Sequence, residues 1–159
     1  MKTIIVTGTS SGIGKEICIQ AAAKNFHVIS VSRNIEPLKD LDGIESFKLD
    51  ITHKDSVDEF VANLKNRKIK IDILINNAGY LVSELFSETT YDSFKKTFDV
   101  NVFGLAEITR SLIPIINKDG HVINISSIGG VNSSKKFPGL SAYSSSKAAV
   151  IALTEVLAE

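Results

Sequence analysis

Five short runs of β-branched and aliphatic residues punctuate the chain, and longer stretches of helical period separate them. The candidate strands are Thr3–Thr7, His27–Val31, Ser46–Leu49, Ile71–Asn76 and His121–Ser126. Most are continuous apolar runs without strict alternation, the pattern of strands covered on both faces. Ser11–Lys24 puts Ile13, Ile17 and Ala21 four residues apart and predicts an amphipathic helix with those three facing inward. Thr52 with Asp55 reads as an N-terminal cap for a helix running to about Asn66. The longest helical pattern carries Phe94, Phe98, Val102, Leu105, Ile108, Leu112 and Ile115, spaced by three or four throughout. A last helix is predicted from near Ala142 to the chain end. Strand and helix therefore alternate, which predicts an α/β fold: a doubly wound parallel sheet with right-handed crossovers. One loop, Gly129–Ser141, is long for such a fold, and long loops at strand ends often border a site.

Composition narrows the function classes. The 159 residues suffice for one domain with a real core, and no repeat or linker divides them. Lys+Arg and Asp+Glu both total 18, which argues against a nucleic-acid or anionic-membrane partner. No apolar run approaches a membrane span, and Ile4-Ile5-Val6 is too short for a signal peptide. Cys18 is the single cysteine, so no internal disulfide can form, and a cytoplasmic location is expected. Its apolar helical neighbours make Cys18 a packing residue rather than a reactive thiol. His27, His53 and His121 share no ligand spacing, so no metal site is expected.

The first strand ends in Thr7-Gly8-Thr9-Ser10-Ser11-Gly12-Ile13-Gly14, and a helix follows at once. Gly8 permits a tight turn, Gly12 lets backbone approach a pyrophosphate, and Gly14 lets the helix pack closely. The helix N-terminus then offers free N–H groups and a positive dipole end to an anion. The spacing is G-x-x-x-G-x-G and departs from the general dinucleotide pattern. Ser32-Arg33-Asn34 closes the second strand, where an NAD binder places a carboxylate for the ribose 2′-hydroxyl. A guanidinium there would pair with a 2′-phosphate, which favours NADP(H) over NAD(H); the plain alternative is an exposed surface arginine.

Four later motifs make the pattern specific. Asn76-Asn77-Ala78-Gly79 follows the fourth strand, Asn101 lies within the long helix, Ser126-Ser127 closes the fifth strand, and Tyr143-Ser144-Ser145-Ser146-Lys147 opens the last helix. With the glycine turn and the Leu49-Asp50 pair, this set resembles the short-chain dehydrogenase/reductase family along essentially the whole chain. The resemblance implies a Rossmann-like domain over residues 1–159 that binds NADP(H) and interconverts a small carbonyl compound and a secondary alcohol. It implies Tyr143 as acid and base, Lys147 on the nicotinamide ribose and beside the tyrosine, and Ser127 on the substrate oxygen. Asn101 would hold a water in a proton relay. The Gly8, Ser10, Ser11, Gly12, Ile13 and Gly14 turn would hold phosphate. Ser32, Arg33 and Asn34 would meet the adenosine ribose, Asp50 and Ile51 the adenine, and Asn77, Ala78 and Gly79 the ribose side. A homodimer or homotetramer is also implied by the resemblance.

Elementary chemistry supports the tyrosine–lysine pair independently. A free phenol titrates near ~10, too high for a base at neutral pH. Tyr143 and Lys147 are four apart and share a helix face, where an ammonium would stabilise the phenolate. Two departures stand against the resemblance. Ser127 and Tyr143 are sixteen residues apart, longer than usual, with the excess in the Gly129–Ser141 loop. The sequence stops at Glu159, where family members continue through a further strand and a substrate lid, so a missing edge strand is expected. That leaves a nucleotide-binding protein with little or no turnover as the alternative, and epimerase or dehydratase chemistry as a third reading.

Overall fold

A computed structural model describes all 159 residues. Its elements run β1 (Thr3–Thr7), α1 (Gly12–Ala23), β2 (His27–Ser32), β3 (Ile44–Lys48), α2 (Lys54–Asn66), β4 (Ile71–Asn76), α3 (Tyr91–Phe98), α4 (Leu105–Leu112), β5 (Ile116–Asn124) and α5 (Ser141–Ala158). All pairings are parallel and the strand order is β3-β2-β1-β4-β5. The chain thus works outward from β1 to β3, then crosses back to β4 on the other side of β1. That reversal opens a crevice at the carboxyl ends of β1 and β4, the usual ligand position in such sheets.

The sheet is buried on both sides at its centre. One side packs Ile5, Ile29, Val31 and Leu74 against Val57 and Leu64 of α2 and Ile108 and Leu112 of α4. The other packs Ile4, Val6, Val28 and Ile75 against Cys18 and Ala21 of α1, with Leu38 and Ile44. Side chains such as Ile29 and Leu112 are fully buried, each contributing about 1.5–3 kcal/mol of transfer free energy.

The expected elements recur with shifted boundaries, and the shifts have causes. The third strand begins at Ile44 rather than Ser46, because Gly43 takes a positive φ of 78° and lets Ile44 pair with Val28. The fifth strand begins at Ile116 rather than His121 and ends at Asn124; Ile116 pairs with Ile71 across an irregular register. It is the last strand of the sheet, as the expected missing edge strand implies, and His121, Val122 and Ile123 are exposed. Thr52 does not cap α2: its N–H and hydroxyl both donate to Asp50 Oδ1, at 3.0 and 2.8 Å, and His53 holds the cap position. On α1 the inward face is Gly14, Cys18 and Ala21, while Ile13 is 64% exposed. The single long helix is interrupted. Asp99–Gly104 is a π-helical turn and Ile113–Ile115 a 3₁₀ turn, so Phe94 and Phe98 are half-buried while Leu105, Ile108 and Leu112 reach the core.

Candidate functional site

A cleft of about 530 Å³ runs along the carboxyl ends of the strands. Its floor is the β1–α1 turn. Gly8 has φ 73° and its N–H donates to Val31 O at 2.8 Å, so the turn is pinned to β2. Gly12 has φ 58°, a backbone conformation that favours glycine, with open space where a Cβ would stand. Gly14 is tight: a Cβ there would lie 2.4 Å from Asn77 Nδ2 and 2.5 Å from Gly8 O. Its absence admits the Asn77 amide, which donates to Thr7 O and Gly8 O, both at 3.0 Å. Thr7 Oγ1 in turn accepts the N–H groups of Asn77 and Ala78 at 3.1 and 3.0 Å. The glycine turn and the end of β4 are therefore one clamped unit.

The second wall comes from the ends of β2 and β3. Ser32 is buried, and its hydroxyl donates to Asn34 O at 2.6 Å, turning the chain sharply. Arg33 is exposed at the cleft and forms no ion pair. Partial burial opposes ionisation of Asp50, yet the Thr52 N–H and hydroxyl, with His53 and Arg33 nearby, hold its carboxyl below the usual range.

The far end belongs to α5. Lys147 is 3% exposed, and its Nζ donates to Ile125 O at 2.8 Å and lies 5.8 Å from the centroid of the Tyr143 ring. No carboxylate pairs with it. Burial pushes its ammonium below the ordinary lysine value of 10.5. A desolvated cation four residues from a phenol is a ready partner for a phenolate and for ribose hydroxyls. Ser126 Oγ donates to Lys147 O at 2.8 Å, which ties the end of β5 to this turn of α5.

Asn101 sits in the π-helical turn and is completely buried. Its Oδ1 accepts Tyr80 N–H at 2.7 Å, and its Nδ2 donates to Tyr80 O and Ser146 Oγ, both at 2.9 Å. Ser146 Oγ passes the chain on to Tyr143 O at 2.7 Å. The amide thus links the loop after β4 to the start of α5. Such π turns are rare and often mark functional sites.

Of the residues expected from sequence, Gly8, Ser10, Ser11, Ile13, Ser32, Arg33, Asn34, Asp50, Ile51, Asn77, Ala78, Gly79, Tyr143 and Lys147 line the cleft. Gly12, Gly14, Asn101 and Ser127 do not. Ser127 caps the 3₁₀ turn Ile128–Gly130, its Oγ accepting Gly129 N–H at 3.3 Å. Sequence reasoning gave no role to Tyr80, Leu81, Val100, Ile125 or Ser126, which also line the cleft, nor to Ser146. Tyr80 and Leu81 directly follow Asn76–Gly79, and Val100 precedes Asn101, so adjacency was the available signal.

Comparison with known proteins agrees with this geometry. The family model described as short chain dehydrogenase matches residues 2–159. An uncharacterised oxidoreductase of Staphylococcus saprophyticus is 34% identical over 98% of the chain and 70% of its own length. A fatty acyl-CoA reductase of Acinetobacter baylyi is also 34% identical, over 98% of the chain and 56% of its own length. A short-chain dehydrogenase from Streptomyces avermitilis superposes with a TM-score of 0.90 at 40% identity, over 98% of the chain and 59% of its own. A 4-hydroxyisoleucine dehydrogenase complexed with NADH and succinate superposes at 0.87 and 29% identity, over 98% and 71%. ElxO with NADP bound superposes at 0.84 and 29% identity, over 96% and 64%. Among these proteins the chain spans between 56 and 71% of the relative's length.

Proposed function

Because the chain belongs to the short-chain dehydrogenase family, we propose that it is the nicotinamide-binding and acid–base unit of an NADP(H)-dependent oxidoreductase interconverting a carbonyl and a secondary alcohol. One observation carries the reading: Lys147 is a buried cation without a carboxylate, held beside Tyr143 at the end of a cleft floored by a glycine turn.

The residues present fit a dinucleotide. Gly8, Ser10, Ser11 and Ile13 line the cleft at the turn where a pyrophosphate would be held, and Asp50 and Ile51 line it beyond the end of β3, where an adenine would pack. When bound, the nicotinamide supplies or accepts the hydride. Tyr143 then gives its phenolic proton to the substrate oxygen in reduction and takes it back in oxidation. Lys147 stabilises the phenolate and donates to ribose hydroxyls. Ser127 donates its hydroxyl proton to the substrate oxygen while its Oγ goes on accepting Gly129 N–H at 3.3 Å. Asn101 keeps Tyr80 and Ser146 in place, and through Ser146 the backbone of Tyr143. The NADP(H) preference rests on Arg33, an unpaired guanidinium at the end of β2, since a related structure holds NADH and another NADP. No helix of the structure is long and apolar enough to cross a membrane. The proposed setting is the cytoplasm, as a homodimer or homotetramer.

Two measurements test the reading. Tyr143→Phe should abolish NADPH-dependent carbonyl reduction while leaving NADPH affinity within about twofold; unchanged turnover refutes the mechanism. Arg33→Ala should weaken NADPH about tenfold or more and NADH hardly at all, as loss of a charge-assisted contact requires. Equal losses for both cofactors refute the preference. Tight NADPH binding with no turnover of any carbonyl would return a nucleotide-binding protein instead.

A further inference from the structure

Ser127 and Tyr143 are sixteen residues apart, and a loop of that length sets no distance between its ends unless something ties it down. The tie begins at Ser127 itself. Its Oγ accepts Gly129 N–H at 3.3 Å and its carbonyl accepts Gly130 N–H at 2.9 Å, which winds the chain into the 3₁₀ turn Ile128–Gly130. Both glycines are buried, and the turn is pressed onto α5 with no side chain of its own between. A Cβ on Gly129 would lie 2.9 Å from Ser144 Oγ, and one on Gly130 would lie 2.5 Å from Lys147 C and 2.6 Å from Ala148 N. The stretch of α5 beneath it is the one that carries Tyr143 and Lys147.

Glycine brings little apolar area to such a contact, so packing alone holds the turn weakly. Lys136 braces it from the returning limb of the same loop. Its Nζ donates to Gly129 O, Val131 O and Ser134 Oγ at 2.7, 2.6 and 3.1 Å, which spends all three N–H groups on the loop itself. The Ser134 hydroxyl stands 2.6 Å from Ile128 O and 2.8 Å from Val131 O. Side chains of the returning limb therefore reach the carbonyls of Ile128, Gly129 and Val131 alike. No carboxylate pairs with Lys136 to draw it elsewhere. Hydrogen bonds from a charged donor are roughly twice as strong as neutral ones. Farther along, Gly139 O accepts Glu84 N–H at 3.0 Å, which anchors the end of the limb. The neighbouring Lys135 takes no part, for its Nζ lies 5.9 Å from the centroid of the Phe137 ring.

We propose that Lys136 is the positioning residue for Ser127. Acting through the Gly129 carbonyl, it holds the 3₁₀ turn against α5 and so fixes Ser127 Oγ relative to Tyr143. The inference rests on the oxidoreductase reading and adds the device that keeps its two proton donors in register. Both hydroxyls must meet one substrate oxygen, and a misplacement of about 1 Å costs about a hundredfold in rate. Lys136 does not line the cofactor cleft, so its effect falls on the chemical step and not on the binding of NADPH.

Two measurements on the whole chain test this. Amide hydrogen exchange read by NMR follows the Gly129 and Gly130 N–H groups, the two that bond to Ser127. Lys136→Met should speed their exchange about tenfold or more and leave the Ile5 and Leu74 amides of the central strands as in the parent. Lys135→Met should move neither set. Steady-state reduction of 2,3-butanedione by NADPH then reads the chemistry. Lys136→Met should lower kcat about tenfold with KM for NADPH within about twofold. Ser127→Ala should lower kcat about a hundredfold in the parent but only about tenfold on top of Lys136→Met, because a misplaced hydroxyl has less to lose. Glycine amides indifferent to Lys136→Met, an equal effect of Lys135→Met, or full additivity with Ser127→Ala overturns the proposal. A parent that reduces no carbonyl overturns the oxidoreductase reading instead, and the exchange measurement still decides whether Lys136 holds the turn.

Discussion

Replacing Asn101 by alanine removes a fully buried amide that makes three hydrogen bonds. Two of them go to the backbone of Tyr80, and no other partner stands ready for that N–H or C=O. A buried backbone group left unpaired costs about 1–3 kcal/mol, and the bond to Ser146 contributes about 1 kcal/mol more. The expected loss is therefore about 3–7 kcal/mol, a large part of the roughly 5–15 kcal/mol that holds a domain together. With a urea slope near 2 kcal/mol/M, the midpoint should fall by about 2 M. Equilibrium urea unfolding at several pH values reads this directly. Asn101→Asp sharpens it. A carboxylate could accept Tyr80 N–H but would face Tyr80 O and lose its solvation, which pushes its folded pKa up against the opposing pull of the Lys147 ammonium near Gly79. Protonation restores a donor. Stability of that variant should be greatest below the unfolded carboxylate range, near 4, and fall as pH rises through the raised folded value. An alanine variant within about 1 kcal/mol of the parent, or an aspartate variant with the parent's pH dependence, would refute the reasoning.

Three further expectations follow from the same geometry. Gly14→Ala should lower the thermal midpoint by about 10 °C or more by driving out the Asn77 amide, whereas Gly12→Ala should cost only about 1–2 kcal/mol of backbone strain; differential scanning calorimetry compares them. Lys147→Met should abolish carbonyl reduction yet leave the thermal midpoint unchanged or higher, because burial disfavours the ammonium. For the same reason, the parent's stability should gain on the variant's as pH rises toward 10.5, since the unfolded lysine holds its proton longer. Hydrogen bonding from Arg67, at 2.6 and 2.8 Å, lowers the pKa of Glu45, helped by His27 against partial burial. The stability it adds is present above the usual carboxylate range and lost as pH falls through the depressed value. Both groups are solvent-accessible, so Glu45→Gln should cost no more than about 1 kcal/mol in urea titrations at neutral pH.

How much of this was legible in the sequence depends on which interactions are local. Continuous apolar runs at Thr3–Thr7 and Ile71–Asn76 marked central strands with the observed bounds, since a strand flanked on both sides leaves little freedom. The turn Thr7–Gly14 and the pair Tyr143 and Lys147 were readable because their chemistry sits within a few residues. What failed was non-local. Nothing near Ile13 announces that α1 would be rotated to bury Gly14; that follows from Asn77, sixty-three positions away, needing the space. Spacing of three or four ran unbroken from Phe94 to Ile115, yet the helix changes its winding at Asn101 to reach Tyr80 and Ser146.

The π-helical turn at Asp99–Gly104 has one more consequence. An α-helical turn advances about 100° per residue, and a π turn absorbs one extra residue without advancing the face. The segment therefore keeps two phases, one setting Phe94 and Phe98, the other Leu105, Ile108 and Leu112. Deleting any one residue between Asp99 and Gly104 would let the winding become regular and swing the Asn101 amide about a quarter turn from Tyr80. The length of this stretch is then as strictly constrained as its composition. Substitutions at Val102 or Phe103 change a side chain, but a single-codon deletion there would dismantle the connection between the β4 loop and α5 at one stroke.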